Sequence, residues 1–127
     1  MKSKNIRIPL AGFLFLALFA AVGDGQAATC KGKPPTGVCE CQVLWPPGGH
    51  CPSTSSCLGG PADEKITCKS KNGCVIISGA GNDTVIGTEK RDFICTGSGN
   101  DTIYSGTSSI GDDDYVDAGS GNDKAQQ

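Results

Sequence analysis

Read for its apolar and polar positions, the chain divides into three stretches. Ile8 to Val22, "IPLAGFLFLALFAAV", is almost uninterruptedly apolar. From Cys30 to Cys68 no apolar periodicity persists long enough for a helix, Pro and Gly punctuate the chain into turns, and "CECQVLW" is the only candidate strand. Beyond Lys69 the pattern changes again. Val85, Ile94, Ile103 and Val116 each stand two residues after an aspartate, and Thr84, Phe93, Thr102 and Tyr115 lie between. In an extended chain such neighbours point to opposite faces, so each triplet predicts a very short strand with one aliphatic facing inward.

The spacing of these triplets is regular. "SGAGNDTVI" (78–86) nearly repeats as "TGSGNDTIY" (96–104) and returns, incomplete, as "AGSGNDKAQ" (118–126). Asp83, Asp101 and Asp123 then share one column, and Asp92 and Asp114 fall into the same register as weaker copies. Extending backwards places Cys74 in the aspartate column and Ile76 in the apolar one. The underlying unit is nine residues, with four extra residues between Asp101 and Asp114. Between strands, a six-residue reversal needs backbone positions of positive φ, which glycine adopts without steric cost. Gly79, Gly81, Gly97, Gly99, Gly119 and Gly121 supply them. Loops so bare of side chains expose peptide carbonyls, and carbonyls with one carboxylate per loop can fill the shell of oxygen ligands that Ca²⁺ prefers.

This register resembles the hemolysin-type, or RTX, calcium-binding nonapeptide, Gly-Gly-x-Gly-x-Asp-x-(apolar)-x. The resemblance covers about residues 74–125 and implies an all-β fold, a short parallel β-roll. Each nonapeptide would form a six-residue loop and a three-residue strand, and units eighteen residues apart would stack with calcium between their loops. Asp83 would stack on Asp101, and Asp101 on Asp123 once the insertion is looped out. Cys74, Asp92 and Asp114 would line the other edge, where "GTEKRD" and "SIGDDD" are poor copies of the loop. The implied metal set is Gly79, Gly81, Asp83, Gly97, Gly99, Asp101, Gly119, Gly121 and Asp123, with Asp92 and Asp114 on the weaker edge. Ca²⁺ is the implied cofactor. Ser78, Thr96 and Ala118 replace the first glycine of the motif, and Ala125 occupies the last apolar position. Members of this family exported by type I secretion mostly lack an N-terminal signal and are poor in cysteine, whereas this chain carries a signal-like segment and is rich in cysteine.

Charge and cysteine usage set the context. Lys2, Lys4 and Arg7 precede the apolar run and small residues succeed it, which reads as a signal peptide over residues 1–28, with cleavage near Ala27 or Ala28. At fifteen residues the run is short for a bilayer crossing, so no membrane span is expected after cleavage. The chain beyond residue 28 holds eight basic against twelve acidic residues, which argues against a nucleic-acid partner. All eight cysteines lie in that part, an even number in a chain too small to be held by its core alone, and this predicts up to four disulfides of unreadable connectivity. The expected organisation is a signal peptide (1–28), a mostly irregular disulfide-stapled module (29–68) and a calcium-binding β-roll (69–127), with the boundary between Cys57 and Lys71 and disulfides shared across it. The module is the obvious N-terminal cap for a short repeat array.

Other chemistry carries less. Cys39, Cys41, His50 and Cys51 could hold zinc, but their spacing matches no common finger and an oxidising compartment favours cystines. His50 is the only histidine, and the acids gather in the repeat column or the "DDD" run, so no catalytic set emerges. Trp45 is expected as the largest body of a small disulfide core, the other reading being an exposed recognition residue. Asn82 and Asn100 formally match glycosylation acceptors, though inside calcium loops a glycan would compete with folding. The sequence therefore points to a secreted or periplasmic, non-enzymatic calcium-binding protein, with an extracellular protein or a carbohydrate as further partner classes. The alternatives are a small disulfide-rich toxin or inhibitor acting through the Cys30–Cys68 loops, and a secreted hydrolase.

Overall fold

The structure is a computed structural model and describes residues 28–52, 57–107, 111 and 113–127. The expected signal peptide, apart from Ala28, and part of the four-residue insertion lie outside the described residues. Among the described residues no helix is long and apolar enough to cross a membrane.

The strands are β1 (Cys39–Trp45), β2 (Asp63–Cys68), β3 (Val75–Ile77), β4 (Thr84–Ile86), β5 (Phe93–Cys95), β6 (Thr102–Tyr104), β7 (Tyr115–Asp117) and β8 (Lys124–Gln126). They form two sheets. One runs β7-β5-β3 and the other β8-β6-β4-β2-β1. Every pairing is parallel except β1 on β2. Successive repeat strands alternate between the sheets, so the chain winds as a solenoid and strands two units apart stack. Val85 pairs with Ile103 and Ile103 with Ala125, while Ile76 pairs with Ile94 and Ile94 with Val116. The register of β7 on β5 and of β8 on β6 is kept across the four extra residues.

One apolar residue per strand points between the sheets, as the alternation predicts. Ile66, Ile76, Val85, Ile94 and Ile103 are fully buried and form one cluster with Cys39, Cys57, Cys68 and Cys74. Val116, expected to face inward, packs on this cluster but is only partly buried, because β8 above it ends in exposed residues. The outer face of the three-stranded sheet is covered as well. Cys30, Val75 and Ile77 make a second cluster with Phe93 and Tyr115 against it. The ammonium groups of Lys33 and Lys31 lie 5.0 and 4.5 Å from the centres of the Phe93 and Tyr115 rings. The two rings expected to face outward are therefore half-covered by the N-terminal segment.

Four disulfides join Cys30–Cys95, Cys39–Cys57, Cys41–Cys51 and Cys68–Cys74. The first ties the start of the described chain to β5 in the middle of the solenoid.

Two features depart from the sequence reading. Strand β2 has no clear signature, because "DEKITC" carries three charges and one aliphatic, yet its alternate residues Glu64, Ile66 and Cys68 are all buried. It pairs in parallel with β4 through Lys65–Thr84, Ile66–Val85 and Thr67–Ile86, so the sheet begins within the cysteine-rich stretch. Trp45 is 62% exposed rather than the body of a disulfide core. Cystines fill the interior of the module, and a register shift between Val43 and Trp45 ends the alternation before the indole can turn inward.

Candidate metal centre

The loops between strands hold the acids in columns. Asp83, Asp101 and Asp123 succeed one another up one edge of the solenoid, and Cys74, Asp92 and Asp114 up the other. Each aspartate reaches back to the preceding coil. Asp101 Oδ1 accepts from the Asp83 N–H at 2.8 Å, and Asp123 Oδ1 from the Asp101 N–H at 2.9 Å. On the other edge Asp92 Oδ1 accepts from the Cys74 N–H at 2.7 Å, and Asp114 Oδ1 from the Asp92 N–H at 2.9 Å. One carboxylate oxygen of each thus replaces a backbone acceptor and locks the coil spacing.

The neighbouring asparagines work in the opposite direction. Asn82 Oδ1 accepts from the Asn100 N–H at 2.8 Å, and Asn100 Oδ1 from the Asn122 N–H at 2.9 Å. A third ladder comes from the residues that replace the motif's first glycine. The Ser78 hydroxyl donates to the Thr96 carbonyl at 3.1 Å and the Thr96 hydroxyl to the Ala118 carbonyl at 3.0 Å. Set against the motif, these hydroxyls are only departures from it. The signal that could have found them is their recurrence eighteen residues apart.

The six glycines of the set all have positive φ, from 73° at Gly119 to 137° at Gly121. A second constraint acts at Gly99, where φ is 133° and a Cβ would collide with the Gly81 carbonyl oxygen of the coil beneath. Close stacking leaves no room for a side chain, and peptide oxygens are held against the loop above.

The other carboxylate oxygen distinguishes the loops. Asp92 Oδ2 accepts from the Thr88 N–H at 2.6 Å and the Thr88 hydroxyl at 3.0 Å, so the "GTEKRD" loop closes on itself. The Oδ2 atoms of Asp83, Asp101 and Asp114 are buried and have no donor among the described residues. A buried carboxylate oxygen without a partner costs several kcal/mol of lost hydration, at order of magnitude. Burial pushes Asp83 up from 3.8 to about 7; hydrogen bonds oppose the shift, and the charges of Asp101 and Glu64 add to it. Burial also raises Asp92 and Glu64. Buried, mutually repelling carboxylates with an unfilled acceptor each, beside peptide oxygens, are the donor set of a hard divalent cation. By this test the residues fit calcium at Asp83 and Asp101 on one edge and at Asp114 on the other. At Asp92 the acceptor is already used, and Asp123 lies half-buried in the last coil.

Sequence reasoning missed one member of the first column. Glu64 stands one coil before Asp83, fully buried, and its N–H donates to Asp83 Oδ1 at 2.8 Å. The motif is there in degraded form: "GGPADEKI" has Ala62 for a glycine, Glu64 for the aspartate and Ile66 two residues later. Its nineteen-residue spacing to Asp83 puts it out of the eighteen-residue register. The zinc candidates are excluded as a set, since Cys39, Cys41 and Cys51 are in disulfides. The described clusters of metal-ligating groups, Cys39–Cys68–Cys74 and Cys41–Cys51–Glu64, likewise consist of cystine sulfurs with or without a carboxylate.

A parallel β-solenoid of two-strand coils, with glycine loops and an acid column at each edge, defines a short β-roll. Residues 77–108 and 111–125 match the RTX calcium-binding nonapeptide repeat family in four copies, so this segment is an RTX-type repeat array. No curated protein and no solved structure matches the chain.

Proposed function

We propose that this is a secreted calcium-binding protein whose repeat loops take up Ca²⁺ and whose roll orders around it, serving as a structural or binding module outside the cytoplasm. The observation that carries this reading is the pair of buried, partnerless Oδ2 atoms of Asp83 and Asp101 on stacked glycine loops. Calcium satisfies both oxygens and cancels the repulsion along the column. One inward aliphatic per strand is a thin core, so ion binding and ordering of the roll are coupled. Secretion rests on the leader-like residues 1–28 and on four disulfides, which belong to an oxidising compartment. Low internal and high external calcium then place ordering of the roll after export. The chain is read as a module rather than an enzyme, because its buried acids lie in stacked loops and His50 is its only histidine.

The reading is tested by circular dichroism of the oxidised protein as calcium is added after chelation. Growth of strand signal with a saturable midpoint supports it; an unchanged spectrum through millimolar calcium sinks it. Exposed Leu44 and Trp45, 48% and 62% accessible at the end of β1, favour a second role in which the cysteine-rich loops meet an extracellular protein or carbohydrate. In that case the toxin or inhibitor reading and the calcium module describe two ends of one molecule.

A further inference from the structure

The loop Gly59–Glu64, "GGPADE", lies outside the matched repeats and inside the cysteine-rich stretch. It nevertheless stacks beneath Ser78–Asp83 as that loop stacks beneath Thr96–Asp101. The Ala80 N–H donates to the Gly60 carbonyl at 3.0 Å, as the Ser98 N–H does to Gly79 at 3.1 Å. A Cβ on Gly79 or Gly81 would strike the Gly60 or Ala62 carbonyl oxygen, just as one on Gly97 or Gly99 would strike Gly79 or Gly81. Asp63 takes the asparagine's place in its ladder, its Oδ1 accepting from the Asn82 N–H at 2.7 Å. Glu64 takes the aspartate's place.

The aspartates reach backwards, so the carboxylate of Asp83 enters the gap above this loop rather than the gap above its own. It binds the Glu64 N–H through Oδ1, and in this residue, only 1% exposed, the buried Oδ2 is left without a partner. The Glu64 carboxylate is fully buried in the same coil, where it accepts from the Gly60 N–H at 2.8 and 3.1 Å through its two oxygens. A single N–H is shared between those two oxygens, whereas Asp92 accepts three separate bonds, so the Glu64 carboxylate keeps lone pairs that Asp92 has spent.

We propose that the Gly59–Glu64 loop and Asp83 form a calcium site of their own, so that the metal array begins one coil before the recognisable repeats. Two carboxylates and the peptide oxygens of a glycine-rich loop match a divalent cation in charge and in ligand type. The site joins the disulfide-held module to the roll through the ion itself. The proposal rests on the calcium reading above and extends it to residues the repeat motif does not contain.

Native mass spectrometry of the oxidised chain, titrated with calcium, counts the bound ions in the parent protein, in Glu64→Gln and in Asp101→Asn. Glutamine keeps an oxygen for the Gly60 N–H and loses the charge, so Glu64→Gln is expected to hold one ion fewer while strand β2 retains its amide protection. If Glu64→Gln keeps the full count while Asp101→Asn loses an ion, this inference fails and the calcium reading stands. If the parent binds none, both fail. Amide exchange of the parent protein decides the matter independently of any variant. Calcium should slow exchange in residues 59–64 together with 78–83, and protection that begins only at Ser78 overturns the proposal.

Discussion

At the scale of the residue, a single carboxylate does two jobs with two oxygens. One oxygen of Asp101 accepts from the Asp83 N–H and the other, without a donor among the described residues, is the one proposed to meet the ion, whereas Asp92 spends both on hydrogen bonds. Asp101→Asn keeps the first job and removes the second, so calcium affinity should fall by about tenfold or more, the loss expected when a charged ligand worth at least ~1.4 kcal/mol disappears. Asp92→Asn should leave the number of bound ions unchanged, and calorimetric titration of the two variants side by side checks the contrast. Proton linkage gives a second expectation. Asp83 titrates near 3.8 when exposed and at about 7 when folded, so the folded chain binds more protons between those values. With calcium chelated, Asp83's contribution to stability is fully present below 3.8 and is lost as pH rises through 7. Calcium requires the ionised form and reverses the trend, so its binding midpoint should move to higher concentration as pH falls below about 7. Melting curves at pH 5 and 8, with chelator and with calcium, separate the two signs.

At the scale of the element, each coil is a loop that cannot carry side chains and a strand that buries one. Gly99→Ala forces a Cβ into the Gly81 carbonyl at a φ of 133°, and should destabilise the roll by roughly 2 kcal/mol or more in thermal unfolding. Ile94→Ala empties a fully buried position between the sheets and should cost about 2–5 kcal/mol. Trp45→Ala, at the exposed end of β1, should leave the melting curve unchanged. The strands β4 to β7 and their stacking were legible because apolar position, glycine pair and aspartate recur in one register. Strand β2 was not legible: its pairing with β4 depends on burying Glu64 beside Ile66, a choice made by contacts with the next coil. The acid column was legible as a column, but not the division of labour within it. Whether a second oxygen is free depends on Thr88 donating to Asp92, whereas beside Asp83 the Ser78 hydroxyl is turned to the Thr96 carbonyl, and only the folded loop decides that. The disulfide pairs were equally beyond reach, since they depend on which loops meet.

At the scale of the whole molecule, stability is divided between covalent links at one end and hydrogen-bonded ladders, with the proposed ions, along the edge. Cystines crowd the first coil, and Cys30–Cys95 spans 65 residues to hold the N-terminal segment over Phe93 and Tyr115. Replacing that pair by alanines should cost about 4 kcal/mol on the chain-entropy estimate for such a loop, and should loosen the outer face of the three-stranded sheet. Amide exchange in Val75–Ile77 and Phe93–Cys95 reports that loosening. The coils beyond have no cystine after Cys95 and rely on ladders and the proposed ions, so the calcium dependence of order should increase toward the C-terminal end. The measurement that bears most directly on the central claim is isothermal titration of calcium into the oxidised protein and its Asp101→Asn variant. Saturable binding in the first, markedly weakened in the second, is the expected result. Absence of binding at millimolar calcium, or identical isotherms, would contradict it and leave the repeats as glycine-asparagine turns held by hydrogen bonds alone.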